Sequence, residues 1–156
     1  MTSNVATELE LTLRGFLACG VTPRTLNINH PDPTGRGPFC RLTVDDTAPA
    51  SPGVYAWTTD ENVMYIGKAS QLRQIVHGAR MNRAANDYTY VAPSEVAQSS
   101  SPRVRVNGLL NRAFCEESRV SWWWIDSSSV VDALRLEARL IHEWRPPWNR
   151  TYPTLT

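Results

Sequence analysis

The chain has 156 residues, 42% of them hydrophobic and 20% charged, with a net charge of +1. Those proportions describe one ordinary globular domain long enough to bury a core, which sets aside disordered, fibrous and membrane-spanning classes. No apolar run reaches the roughly 20 residues of a bilayer span and no basic-then-apolar leader opens the chain, so no membrane partner and a cytoplasmic location are expected.

In chain order, residues 4–19 predict a short amphipathic helix, with Val5, Leu9, Leu13, Phe16 and Leu17 at helical spacing and Gly20 as its stop. From 21 to 52 six prolines break any long element, and only 39–44 suggests a short strand. Residues 1–52 are therefore expected to be a helix and Pro-rich lead-in packed on the same domain. The stretch "GVYAWTTDENVMYIG" (53–67) predicts a hairpin turning at Thr59-Asp60-Glu61-Asn62. After it, Ser70 offers a helix cap, and Leu72, Ile75, Val76 and Ala79 mark a buried stripe. A long loop over 85–104, a helix near 107–117, a strand at 119–126 and a capped helix at 130–144 follow. Pro146-Pro147 stops the last helix, and 151–156 is a tail.

Three cysteines (Cys19, Cys40, Cys115) contain no Cys-x-x-Cys pair, so neither a zinc site nor a disulfide framework is expected. Charge is unevenly spread. Lys68, Arg73, Arg80, Arg83, Arg103, Arg105 and Arg112 face only Asp87 and Glu95 in their stretch, an excess suited to a phosphate backbone or to a plain solvated surface. Glu137 has Ala133, Leu134, Leu140 and Ile141 as helical neighbours and so should project from a core-facing stripe. A buried carboxylate is paired, protonated or bound to a metal, and the sequence leaves those choices open. Tyr55 and Tyr65 sit directly opposite if the hairpin folds about residue 60, whereas a one-residue slip sends them to different faces. Of Trp122, Trp123 and Trp124, alternation commits at least one to the core, with Trp122 and Trp124 the better core residues.

Gly53-Val54-Tyr55, then Tyr65-Ile66-Gly67-Lys68, then Leu72-Arg73, then "LEARLIHEWRPPWN", taken together, resemble the GIY-YIG nuclease superfamily over about 53–149. Glu137 keeps the family's twelve-residue separation from a proline-preceded asparagine, Asn149. The resemblance implies an α+β fold: a small three-stranded antiparallel sheet flanked by helices, with the nuclease-like domain at 53–150. It also implies metal-dependent hydrolysis of nucleic acid, with DNA ranked above RNA. Glu137 would hold Mg2+ or Mn2+, Tyr55 and Tyr65 would position or activate water, and Asn149 and Lys68 would support the site. Gly67 would allow close approach, and Arg73, His77, Arg80 and Arg83 would meet the nucleic acid.

One position departs from the family. Its usual arginine, eight residues after the last glycine of the second motif, is Ile75 here, and Arg73 projects about 200° away around the helix. Either another basic residue reaches the phosphate and cutting survives, or the protein binds nucleic acid with little catalysis, or the scaffold serves protein contacts only.

Overall fold

The computed structural model describes residues 16–26, 40–44, 48–76 and 102–152. Its strands are β1 (Leu17–Leu26), β2 (Cys40–Val44), β3 (Gly53–Thr59), β4 (Asn62–Ala69) and β5 (Val120–Asp126). The described helices are α1 (Arg73–Val76), α2 (Pro102–Cys115) and α3 (Val130–Trp144). The expected three-stranded antiparallel sheet is present as β5-β3-β4, and it continues into a five-stranded sheet of order β2-β1-β5-β3-β4.

The extra strands correct the reading of the N-terminal region. Leu17–Cys19, taken from spacing as the end of a helix, pair with Trp122–Trp124 of β5, and β1 runs on through the segment expected to be irregular. Pro23 sits where the β1–β2 register shifts, an irregularity that tolerates its missing N–H. The strand suggested at 39–44 is β2. Residues 4–15 and most of the 85–104 loop lie outside the described residues.

Alternation divides the sheet into two faces. Tyr55, Trp57, Tyr65, Trp122 and Trp124 share one, packed with Leu72, Val76, Val106 and Leu110. Val54, Ala56 and Ile66 line the other, under Ala133, Leu140 and Ile141 of α3. Trp122 and Trp124 are buried as expected, while Trp123 faces the other way and donates its Nε1–H to Thr58 Oγ1 at 2.8 Å.

The hairpin turns on Asp60 and Glu61, whose φ angles of 49° and 72° are the pair of positive values that a two-residue turn between twisted strands demands. A backbone bond from Asp60 N–H to Arg119 O and a bond from Arg119 N–H to the Asp60 carboxylate oxygen Oδ1, both 2.8 Å, fasten the tip to the start of β5. α3 begins at Ser129, whose side chain accepts from Asp132 N–H, and ends at Arg145 in the left-handed region before Pro146. No helix among the described residues is long and apolar enough to cross a membrane.

Candidate active site at the edge of the sheet

β4 is the outer strand of the sheet, and the C-terminal segment fastens its unpaired edge. Trp148 N–H donates to Met64 O at 2.8 Å. Two residues along, Asn149 Oδ1 accepts from Ile66 N–H and Asn149 Nδ2 donates to Ile66 O, both at 2.9 Å. Two further on, the Lys68 backbone N–H is bonded to the Glu137 carboxylate. The eleven residues between Glu137 and Asn149 thus carry the chain from the flank of β4, around the Pro146-Pro147 stop, to the same strand edge. Asn149 acts through β4, as a brace.

Replacing it with alanine leaves both backbone groups of Ile66 unsatisfied at a buried position. Asn149→Ala is expected to lower unfolding free energy by about 2–4 kcal/mol, read by urea titration.

The phenols come together by a different register from the one expected. Tyr65 pairs with Trp57 and Tyr55 with Gly67, because the register shifts between Trp57 and Thr58 and leaves Met64 unpaired. Tyr55 and Tyr65 are therefore diagonal neighbours on one face, not directly opposite, with ring centroids 6.1 Å apart and a hydrogen bond between their side chains. The continuous register from the turn would have set Tyr65 against Ala56, on the α3 side. Gly67 is the partner Tyr55 requires. A Cβ there would lie 2.5 Å from Tyr55 Cζ and Oη.

Glu137 is half-buried on α3, with Ala133, Leu140 and Ile141 buried around it. Leu134, expected in the same stripe, is 48% exposed instead, so the buried surface of α3 is narrower than spacing alone suggests. Burial raises the Glu137 pKa above the usual carboxylate value, opposed by the Lys68 charge and the Lys68 backbone N–H. Among the described residues it makes no ion pair with an arginine. Lys68 is exposed, and its charge acts on Glu137.

Tyr65 is also held above its ordinary pKa, by burial and then by the charge of Glu137; Arg105 and the bond to Tyr55 pull the other way. The site straddles β4, with Glu137 reaching its edge from one face and Tyr65 lying on the other.

Arg105 is the residue that sequence reasoning missed. It belongs to α2, which starts five residues before the predicted helix, and it is 6% exposed, with Nη2 donating to Trp148 O at 2.9 Å. Ile75 is half-buried against the apolar cluster around Leu72 and Trp122. Arg73 is exposed, and its backbone N–H bonds to Pro49 O. His77, Arg80 and Arg83 lie outside the described residues.

Among the described residues no three His, Cys, Asp or Glu side chains gather as a metal cage. A lone carboxylate of this kind fits a hard cation that keeps most of its water and takes further oxygens from a phosphate, as Mg2+ does.

A sheet with helices on both faces, and a carboxylate and two phenols arranged about its outer strand, defines the class: the chain has the GIY-YIG nuclease fold. In particular, it is similar over 94% of its length to a mutant of bacteriophage T4 EndoII, covering 97% of that chain at 18% identity and a TM-score of 0.52. At that identity the likeness shows the shared fold. The chain is also similar to the GIY-YIG N-terminal endonuclease domain of UvrC from Thermotoga maritima, a structure bound to its catalytic divalent cation, magnesium. There the identity is 27% over 67% of this chain and 89% of the other, with a TM-score of 0.39. No family model and no curated protein matches the chain.

Proposed function

We propose that the chain is a divalent-metal-dependent endonuclease that hydrolyses phosphodiester bonds in nucleic acid, with DNA preferred to RNA. The observation that carries this reading is the half-buried Glu137 carboxylate, held by a backbone N–H and by no arginine among the described residues, across a strand edge from two hydrogen-bonded phenols. A desolvated carboxylate whose cost Lys68 offsets only in part is costly to keep, and a bound cation gives it a purpose.

Glu137 is the residue to hold Mg2+ or Mn2+, which when bound supplies Lewis-acid stabilisation of charge on the scissile phosphate and the leaving oxygen. Tyr65, fixed by its bond to Tyr55, orients the attacking water. Burial and the Glu137 charge keep the Tyr65 phenol protonated at neutral pH, so in the resting protein it works as a hydrogen-bonding group. Balancing the Glu137 charge removes one of the two influences that hold this proton, and Arg105 then favours the ionised phenol. Lys68 sets the position of the carboxylate through its N–H and softens the cost of the charge. Asn149 keeps β4 in place beneath both.

The second reading, a nucleic-acid-binding protein with little catalysis, is favoured by Ile75, which packs into the core where the family places a guanidinium. Cleavage of supercoiled, linear and single-stranded DNA, and of RNA, with and without Mg2+ or Mn2+, separates the two. Metal-dependent nicking that Glu137→Ala abolishes is the expected result. Tight, salt-sensitive binding with no product in either metal would transfer the conclusion to the binding protein.

A further inference from the structure

Arg105 is a cation in a place that does not suit one. At 6% exposure it is more than nine-tenths buried, and taking a guanidinium out of water without a counter-charge is expensive. Among the described residues no carboxylate pairs with it, and the titratable groups that act on it are Arg150 and Tyr65. Of the five donors of the guanidinium, one is used by Trp148 O, and Nε is buried with no hydrogen-bond partner.

Its position is set by the strand that carries the phenols. The same Trp148 that accepts from Arg105 donates its N–H to Met64 O, the carbonyl just before Tyr65. The next residue, Asn149, clamps Ile66, just after Tyr65. One short loop therefore joins the buried guanidinium to both neighbours of a site phenol. A planar, permanently charged fork with an idle donor, near a second arginine, is a receptor for a tetrahedral oxyanion.

Resting on the nuclease reading above, we propose that Arg105 contacts the scissile phosphate beside Tyr65, supplying from the middle helix the guanidinium that Ile75 leaves out of the first. α1 then needs no arginine, and Ile75 is free to pack. The nucleic acid's own backbone charge becomes the missing counter-ion of Arg105, so the cost of burying it is recovered only when substrate is bound.

Two independent readouts on the full chain test this. Binding of a labelled duplex oligonucleotide is measured in the Glu137→Gln background, where cutting is stopped, as a function of salt. Arg105→Gln should weaken it about tenfold at 0.1 M salt and reduce the slope of log K against log salt by about 0.9, the share of one phosphate contact. Arg139→Gln, which removes an exposed arginine beside Glu143, should leave both unchanged. In the second readout, with metal and intact Glu137, Arg105→Gln and Arg105→Lys should each lose about 10²–10³ in rate. Added guanidinium ion should return part of the rate to Arg105→Ala and none to Arg105→Gln, where the amide fills the space. Ile75→Arg should raise wild-type cutting less than threefold.

Wild-type binding and cutting in Arg105→Gln overturns the inference. So does a loss of melting temperature with unchanged salt slope and no recovery by guanidinium, which would make Arg105 a strut for the Trp148 loop. A large gain from Ile75→Arg overturns it too. If the wild type binds the oligonucleotide but cuts nothing, the nuclease reading falls while the salt slope still decides the Arg105 contact. If it does not bind at all, both fall.

Discussion

Glu137→Gln is expected to abolish metal-dependent cleavage and, at neutral pH without metal, to raise the melting temperature. The two effects have one origin. Burial lifts the folded-state pKa of Glu137 above its ordinary 4.5 by more than Lys68 lowers it. Between the two values the unfolded chain has released a proton that the folded chain retains. Stability is therefore greatest below the unfolded pKa and declines as pH rises through the folded one, and above that window the full penalty of the buried charge applies. Glutamine carries no charge, and its carbonyl can still accept from Lys68 N–H. Its advantage should vanish as the pH is taken down through the window to 4.5. In a chain of this size each kcal/mol recovered is about 2–4 °C.

Thermal scans at pH 4 and pH 7, with and without Mg2+, check this. Mg2+ should stabilise the wild type by mass action and leave Glu137→Gln unmoved. A variant that melts below the wild type at pH 7 without metal would mean that the carboxylate is satisfied by something other than a cation.

Gly67→Ala should silence the site while leaving the fold mostly intact. The added methyl meets Cζ and Oη of Tyr55 at 2.5 Å and Cε1 at 2.9 Å, so the ring has to swing away. β3 is held on its other side by β5, and the ring is flanked by Trp122 with centroids 6.0 Å apart, which leaves the phenol little room to move in its own plane. The cost of such overpacking is about 1–3 kcal/mol in stability. The cost in rate should be larger, on the order of 10²-fold or more, because the Tyr55–Tyr65 bond is lost along with the position of the water. A double-mutant cycle with Tyr55→Ala isolates the collision: the pair should regain stability relative to Gly67→Ala and regain no activity. If Gly67→Ala cuts at the wild-type rate, Tyr55 is a packing residue.

Much of this arrangement is legible in the sequence where local chemistry decides it. The hairpin turn, the Ser129 cap and the Pro146-Pro147 stop follow from short-range rules, and the Glu137–Asn149 spacing stands out through the family resemblance. β1 is not legible, since Pro23 and Gly20 look like breakers, and the strand exists because β5 pairs with its first four residues and β2 with the rest. The start of α2 was overlooked because Ser99–Pro102 reads as loop, although a proline at the first helical position is a common opening. Placing the helix start at Pro102 would have put Arg105 inside the helix. Nothing local would have shown it buried, because Val104, Arg105, Val106 and Asn107 are buried in succession and no single stripe marks a core face.

The unpaired Met64 has a wider consequence. No glycine or proline marks it, yet it decides on which side of the sheet Tyr65 emerges. A hairpin of the same length with unbroken pairing would set Tyr65 against Ala56 and present the two hydroxyls to opposite compartments of the molecule, whereas a chain lacking only Met64 would pair without a break and leave Tyr65 against Trp57. Trimming this one residue would then keep both phenols on one face, and the register beside the turn, more than the length of the hairpin, becomes the guide to whether a protein of this shape brings them together.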